Sequence, residues 1–397
     1  MKPSLYHISL LIVVLASFCG CRKDAGGSAV EDDSPVPIMI STVSDGETLS
    51  KATVDEWWDD RISIFGVKRE KNGGYDFEDR TNIVDYMTVV SGGGLVSSLS
   101  VYSDEVAKIP YYYQEGRIYD FFGYHIGNAS VKALNLGNDE CSVDVEISGS
   151  DDLMYASVDL QKDLEASDAT DIAINDLYSA RAARRGVQPT LVFRHALSRF
   201  IFIVRGQGDK YDKLEIVGLE VQARNSGRLT FKGAALGFTA DAASEPVTLR
   251  LKDAEDRELA IQDVVPNTES MPLGGEGASI MIPSGEDSLK VSLKCRIKED
   301  LEPVEYDFTL AATAFVNHSE VSDVFKPGSS YMIYMTVYGP EEIIVKGIVD
   351  GWTNAGDFEI NPDDYEGIVV GPDDDINVDG THVGDYEDGG HLGDIEE

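Results

Sequence analysis

The chain has 397 residues and a formal net charge of −38, because 71 Asp and Glu residues outnumber 33 Lys and Arg. This excess of negative charge excludes nucleic acid and anionic lipid surfaces as electrostatic partners. The length is too great for one hydrophobic core and indicates two domains.

The N-terminus has the composition of a lipoprotein signal peptide. Leu5–Phe18 is almost wholly apolar, too short to span a membrane, and typical of a signal-peptide core. A small residue, Gly20, precedes Cys21, which suits cleavage there and lipidation of the cysteine. We therefore predict a signal peptide over residues 1–20, lipidation at Cys21 and a flexible tether over residues 21–35. An ordinary signal peptide cleaved near Gly20, or an uncleaved anchor, is the alternative.

Residues 36–188 carry short segments of alternating polarity separated by turn residues, a pattern typical of a β-sandwich domain. The clearest segments are Val36–Val43, Trp57–Val67, Arg117–His125 and Cys141–Ile147. Residues 159–186 differ, because apolar residues stand among Asp, Glu, Ala and Arg before Gly186 ends the segment. This stretch predicts a small helical insertion in the N-terminal domain.

The run Thr190–Val204 lies in the middle of the chain and has two phases. Its first half alternates as a strand does, but the alternation shifts at Ser198–Arg199, after which Phe200, Phe202 and Val204 take the inward positions. A strand that shifts phase needs a bulge or a change of sheet. We predict that this run serves two packed layers and joins two domains.

Residues 189–362 repeat the strand-like pattern and are predicted to form a C-terminal β-sandwich domain. Beyond Pro362 the chain is rich in Gly and Asp and contains no Lys or Arg. The expectation is that regular structure ends at Pro362 and that residues 363–397 form an acidic tail.

The sequence contains no recognisable catalytic or cofactor-binding motif: GxSxG, HExxH and the phosphate-binding loop are absent. We assign no catalytic residue and no cofactor, and expect the protein not to be an enzyme. His125 and His195 lie in predicted strands beside aromatic residues, which favours satisfied core or rim positions over ligand roles.

One acidic stretch has a weak metal-binding pattern. Asp375, Asn377 and Asp379, followed by Gly380, match the first half of an EF-hand-like calcium loop. The twelfth position is Tyr386 and not Glu, and no amphipathic helices flank the stretch. An unstructured acidic tail is the favoured interpretation, with no metal bound.

Two further features leave alternatives open. Cys141 and Cys295 are the cysteines that follow Cys21, and two buried free thiols in strands are favoured over a disulfide between them. The aromatic clusters Trp57–Trp58 and Tyr111–Tyr113 suit a carbohydrate platform, but sandwich packing uses the same residues and is the favoured interpretation.

Six segments, in order and with their spacing, carry a family resemblance. They are the stretch ending at Cys21, Trp57–Val67, Tyr119–Tyr124, Asp152–Ala156, Leu191–Ser198 and Val345–Trp352. Together they resemble the fimbrillin family of Bacteroidales, the subunits and accessory proteins of type V fimbriae. The resemblance covers most of the chain after Cys21.

This resemblance implies an all-β fold of two tandem transthyretin-like Greek-key β-sandwich domains, exported as an outer-membrane lipoprotein. It also implies that a trypsin-like protease removes the first strand, here Val36–Val43, by cutting after a basic residue in the following loop. Lys51 is the candidate, with Arg61 less favoured because it begins a strand. The opened groove would accept a C-terminal strand from the next subunit, and the candidate donor here is Tyr331–Ile360.

The expected function is therefore a structural, adhesive component of cell-surface fimbriae: a shaft, tip or anchor subunit joined to other fimbrial subunits. Lys51 stands where the best-known shaft subunits have Arg, which favours an anchor, a tip or a standalone surface lipoprotein. The alternative function is a standalone surface lipoprotein that binds a glycan or a host protein through one sandwich. Both place the chain on the bacterial outer membrane, exposed at the surface.

Overall fold

The computed structural model divides the chain into Met1–Pro35 and Val36–Glu397, and the fold described below belongs to the second unit. The residues it describes are 34–44, 60–70, 73–75, 77, 83–90, 95–96, 112–167, 169, 171–208, 214–253, 255–268, 271–296, 302–315, 322–339, 342–351, 368–370 and 376–378.

The described chain is almost entirely β-structure, which confirms the predicted all-β class. The first half contributes β1 (Ile40–Ser44), β2 (Asp60–Lys68), β3 (Ile83–Val90), β4 (Leu95–Val96), β5 (Tyr119–His125), β6 (Ser130–Leu136), β7 (Cys141–Glu146), β8 (Met154–Val158), helix α1 (Leu160–Glu165), helix α2 (Ala180–Ala183) and β9 (Thr190–His195).

The second half contributes β10 (Leu197–Gly206), β11 (Leu214–Ala223), β12 (Ser226–Lys232), β13 (Gly237–Ala240), β14 (Val247–Arg250), β15 (Gln262–Val264), β16 (Met271–Pro272), β17 (Ile280–Pro283), β18 (Ser288–Arg296), β19 (Val304–Ala311), β20 (Ser329–Gly339), β21 (Glu342–Gly351), β22 (Ile368–Val370) and β23 (Ile376–Val378). Short 3-10 turns lie at Ile174–Asp176 and Ala312–Ala314.

These strands form four sheets. Sheet I has the order β3-β2-β5-β8-β9-β1-β4, and sheet II has the order β13-β12-β7-β6. Sheet III runs β16-β10-β20-β21-β22 with β17 also on β10, while sheet IV runs β14-β11-β18-β19-β23 with β15 also on β11. Described neighbours are antiparallel except for β1 with β9, β10 with β20, and β19 with β23, which are parallel.

Aromatic packing holds sheet I against sheet II. Phe65 of β2 stacks on Phe231 of β12 with ring centroids 5.3 Å apart, and Tyr124 of β5 approaches the same ring at 4.8 Å. All three rings belong to one buried cluster that also contains Val143 and Val145 of β7. Burying side chains of this size contributes about 1.5–3 kcal/mol each, so the cluster accounts for much of the adhesion between the sheets.

The helical insertion predicted within residues 159–186 is present and covers the other face of sheet I. Asp159 caps α1 by accepting from the backbone N–H of Lys162 at 3.1 Å, and Ser179 caps α2 in the same manner. These side chains satisfy amides that a short helix leaves unpaired at its start. Behind the helices, Tyr178 and Ala182 share a buried cluster with strand residues of sheet I.

Of the two alternatives predicted for the phase shift within Thr190–Val204, a bulge or a change of sheet, the structure shows a change of sheet. The chain leaves sheet I at His195 and enters sheet III at Leu197, so Ala196 alone separates the two strands. Phe200, Phe202 and Val204 are fully buried in the core between sheets III and IV, as their phase predicts.

A boundary between residues 188 and 189 does not divide the sheets cleanly. Strand β9 belongs to sheet I with the N-terminal strands, and the hairpin β12–β13 joins β7 in sheet II, with Leu229 opposite Val143. Six of the 15 residues in the buried cluster between sheets I and II therefore come from beyond the predicted boundary. Alternating polarity specifies which face of a strand is buried, but not which strand it pairs with.

Regular structure also continues beyond Pro362, contrary to the expectation from composition. Strand β22 pairs with β21 in sheet III, and β23 pairs with β19 in sheet IV. Ile368–Val370 is a short apolar run and Ile376–Val378 has apolar residues on either side of Asn377; unpaired sheet edges are ready templates for such segments.

Candidate functional site

The first strand fills a slot in sheet I. Strand β1 runs parallel to β9 from Ser41 opposite Thr190 to Ser44 opposite Phe193, and its other edge is covered by the two-residue strand β4. An extended segment in this position has backbone partners on both sides. The slot is therefore a place where one strand could be exchanged for another.

Apolar side chains fix the start of this strand. Ile38 and Ile40 are each only 1% exposed and belong to the buried cluster on the helical side of sheet I. The backbone N–H of Tyr113 donates to the carbonyl oxygen of Val36 at 2.9 Å, and the Tyr113 ring packs edge-on against Tyr119 at 5.4 Å. Strand β1 is thus held by two filled apolar pockets as well as by its ladder.

A buried carboxylate ties the helical insertion to the strand next to the slot. Asp163 of α1 accepts hydrogen bonds from the hydroxyl of Tyr178 at 2.7 Å and from the backbone N–H of Thr190 at 2.9 Å. Burial raises the pKa of Asp163, although the two hydrogen bonds oppose the rise. Thr190 is the residue paired with Ser41, so this contact orders the entry of β9 beside β1.

A second buried carboxylate lies beside the passage from sheet I to sheet III. The Oδ1 atom of Asp152 lies 3.0 Å from Nδ1 of His195, the last residue of β9, and both side chains are less than 10% exposed. Burial acts to raise the pKa of Asp152, but His195, His125 and Arg199 outweigh it, so the pKa lies below its ordinary value. His125 and His195 are core residues, as their strand positions predict.

Of the residues proposed for lipidation and processing, only Arg61 lies among the described residues. Cys21 and Lys51 are outside them, so both assignments remain predictions. Arg61 is the second residue of β2 and pairs with Val89 of β3. A cut at Arg61 would sever an internal strand of sheet I, whereas Lys51 lies between the end of β1 at Ser44 and the start of β2.

The calcium candidates and the aromatic clusters are only partly described. Asn377 is the middle residue of β23, while Asp375 and Asp379 lie outside the described residues. Within the described part of the chain, no group of His, Cys, Asp and Glu side chains is arranged to hold a metal ion. Trp57 and Trp58 also lie outside it.

The cysteines and the described tyrosines occupy structural positions. Cys141 and Cys295 are free thiols, fully or almost fully buried in β7 and β18, as predicted. Tyr113 is a core residue, whereas Tyr112 is 44% exposed and lies opposite Pro37. Among the described helices, none is long and apolar enough to cross a membrane.

Sequence reasoning did not single out the two buried carboxylates. Asp163 sits in an acidic helix and Asp152 follows another aspartate, so neither stands out in so acidic a chain. The available signal for Asp163 was its place on the apolar face that includes Leu160 and Leu164. No local signal pairs Asp152 with His195, because 43 residues separate them.

Comparison with known proteins identifies the family. A family model described as fimbrillin-like matches residues 50–352. No curated protein matches the chain significantly. Solved structures similar to this chain include a candidate cell adhesion protein of Bacteroides uniformis, at 14% identity, 80% coverage of this chain, 99% of the other and a TM-score of 0.45.

Two further structures span similar parts of the chain. A candidate cell adhesion protein of Bacteroides ovatus has 13% identity, covers 80% of this chain and 98% of its own, and gives a TM-score of 0.44. The fimbrial anchor protein Mfa2 of Porphyromonas gingivalis has 11% identity, covers 79% of this chain and 99% of its own, and gives a TM-score of 0.33. The family match covers most of the sequence and assigns a structural, non-enzymatic role in fimbriae or cell adhesion. The chain belongs to the fimbrillin-like family.

Proposed function

We propose that this chain is an outer-membrane lipoprotein, anchored through Cys21, that serves as a structural and adhesive component of cell-surface fimbriae. We propose further that it joins neighbouring subunits by exchange of the strand in the β1 slot. The observation that carries the proposal is the position of β1, the first described strand, which lies between β9 and β4 and whose start buries Ile38 and Ile40 in one apolar cluster.

Removing β1 would expose an unpaired strand edge beside an apolar surface. The edge of β9 from Thr190 to Phe193 would lose its parallel partner, and the pockets of Ile38 and Ile40 would open to water. Refilling two such pockets stabilises a complex by about 3–6 kcal/mol, since burying each isoleucine contributes about 1.5–3 kcal/mol. The site fits an extended strand with two β-branched or similar apolar residues, which is β-augmentation.

The position of Lys51 suits this mechanism better than that of Arg61. Cleavage after Lys51 would separate β1 from the rest of the chain without cutting a described strand. Strand β1 would then be held only by non-covalent contacts and could be displaced. Cleavage at Arg61 would instead remove the first two residues of β2 along with β1.

The donor segment is proposed to start after β20. The candidate Tyr331–Ile360 begins in β20, where Tyr331, Ile333 and Met335 are buried in the core between sheets III and IV. Strand β20 also pairs with β10 over eight residues on the edge away from β21, whereas β21 pairs with β22 over only three residues on its outer edge. It cannot leave without opening that core, so the exchangeable part begins with β21 at Glu342.

The N-terminus and intact mass of the protein recovered from the native cell surface test this proposal. A lipidated Cys21 terminus means that β1 stays in place and favours an anchor, a tip or a standalone lipoprotein. A terminus at Ala52 means that the slot has been opened and favours a filament subunit. An unlipidated protein with β1 retained, found apart from fimbriae when its fimbrial partners are present, would contradict both forms.

Substitutions at Lys51 and Cys21 test cleavage and lipidation separately. Lys51→Ala should abolish an Ala52 terminus, and Cys21→Ala should abolish the lipid. Lys290→Ala is the control, because Lys290 is an exposed basic residue of β18 far from the slot in sequence. Sedimentation with fimbriae and a glycan array on the same samples separate assembly from the alternative role as a glycan-binding or host-protein-binding lipoprotein.

A further inference from the structure

Two of the parallel strand pairs share one stretch of chain. Strand β1 pairs with β9 over four residues, and β20 pairs with β10 over eight, from Ser330 opposite Arg199 to Val337 opposite Gly206. Strands β9 and β10 are separated only by Ala196. Strand β1 from the N-terminal part and strand β20 from the C-terminal part are therefore each parallel to one half of the same central segment.

The passage between the two strands is fixed by three other loops. The backbone N–H of Ala196 donates to the carbonyl oxygen of Leu153 at 2.7 Å, and its own carbonyl accepts from the hydroxyl of Ser284 at 3.2 Å. On the β10 side, the hydroxyl of Ser198 donates to the carbonyl oxygen of Lys326 at 3.0 Å. These bonds keep β9 and β10 in fixed relative positions, so a pull on one is passed to the other.

Tension applied between Val36 and Gly339 loads both parallel ladders in shear. A force that draws Val36 toward the N-terminus and Gly339 toward the C-terminus acts along the strands in opposite senses. Each ladder is thus loaded in shear, and its evenly spaced hydrogen bonds share the load. A strand pulled from its end across the ladder instead loses its bonds one after another.

We propose that the segment from β1 through β9 and β10 to β20 is a force path, loaded in shear, that lets the folded subunit bear tension. Its biological meaning rests on the proposed function, in which one end is attached to the membrane or a neighbour and the other end donates a strand. Tension enters the path directly when it acts on β20 at Gly339, as it would after the chain beyond Gly339 had left to join a neighbour. While β21 stays paired, Gly351 lies opposite Ser329, and a pull from there peels β21 away.

Single-molecule force spectroscopy on the full chain tests the path, with handles attached through azide-bearing residues and the native cysteines left in place. One sample is pulled through Val36 and Gly339 and the other through Val36 and Gly351. The first rupture should need more force in the first geometry, because a ladder whose hydrogen bonds share the load resists more than one that is peeled bond by bond. Equal forces in the two geometries would overturn the proposal.

The length released identifies the strand that yields. In the first geometry β1 should leave first, because its ladder with β9 is half as long as that of β10 with β20. The chain freed between Val36 and Asp60 has an extended length of about 80 Å, at about 3.5 Å per residue, and the gain in extension is this length less the distance that already separates its ends. A much longer first release would mean that tension does not pass through β1, which overturns the proposed path.

A variant tests the contribution of the buried anchor. Ile40→Ala should lower the first rupture force between Val36 and Gly339 and leave that between Val36 and Gly351 unchanged, since Ile40 is buried against sheet I whereas β21 pairs within sheet III. A drop in both geometries would indicate general destabilisation and count against the path. None of these measurements needs cleavage, lipid or a second subunit, so they can fail while the proposed assembly stands, and the reverse also holds.

Discussion

The buried pair of Asp152 and His195 offers a direct test of how the two halves of the fold are joined. Asp152 is 7% exposed, and its Oδ1 atom lies within hydrogen-bond distance, 3.0 Å, of Nδ1 of His195 at the end of β9. Removing one partner of such a buried pair costs about 3–5 kcal/mol, because the remaining polar group stays buried. We expect Asp152→Ala to lower the free energy of unfolding by that amount and Asp152→Asn by less, since its amide oxygen keeps a contact with His195.

The same carboxylate makes stability depend on acid. Its pKa in the folded chain lies below the ordinary value of 3.8. The stabilisation is therefore present above that ordinary value and is lost as the pH falls through the lower folded-state pKa. Asp152→Asn removes this contribution, so the variant should lose less stability than the wild type when the pH is taken from 5 to 3.

Denaturant unfolding at several pH values, followed by circular dichroism and tryptophan fluorescence, measures both effects. Asp151→Asn is the matched control, because Asp151 is adjacent and equally buried but accepts from the N–H and hydroxyl of Ser148. The reasoning is refuted if Asp152→Ala costs no more than the Asp151 control, or if Asp152→Asn keeps the wild-type acid dependence.

Three further outcomes follow from single sites. Asp163→Ala should lower the free energy of unfolding by about 2–4 kcal/mol, because it leaves the buried Tyr178 hydroxyl and the partly buried Thr190 N–H without an acceptor. Tyr178→Phe, which removes one of those donors, should cost only about 1 kcal/mol, and equal costs in denaturant unfolding would contradict this. Burial raises the pKa of the Cys295 thiol to about 12, so iodoacetamide at pH 8 should leave it unmodified in the native protein, as peptide mass spectrometry can show. Gly123→Ala would place Cβ 2.6 Å from a carbonyl oxygen of β2 and should cost about 1–3 kcal/mol, whereas the control Gly218→Ala meets nothing closer than 3.9 Å and should be well tolerated in thermal unfolding.

Local pattern was enough to predict the class of fold and its central segment. The apolar residues of Thr190–Val204 change phase once, and a period-two strand cannot keep one buried face through such a change without a break. The structure places that break at Ala196, two residues before the predicted shift at Ser198. The sequence also predicted the helical insertion, because the apolar residues of that segment do not alternate as in a strand and Gly186 ends it.

Strand partners were decided only by the tertiary structure. Nothing in Ser226–Lys232 indicates pairing with Cys141–Glu146, because strands of similar alternation are interchangeable until side chains on both faces are packed. Packing of Phe65 and Tyr124 against Phe231 selects that partner.

For the slot that holds β1, too, the sequence indicated the strand and the tertiary structure decided its contacts. The sequence marked Val36–Val43 as a strand, and the family resemblance suggested that it can be removed. The tertiary structure supplied the parallel register of β1 with β9, the burial of Ile38 and Ile40, and the contact of Asp163 with Thr190. Each depends on residues more than 25 positions apart in sequence. Such contacts form only when the chain is folded, because closing these loops costs entropy that local periodicity does not record.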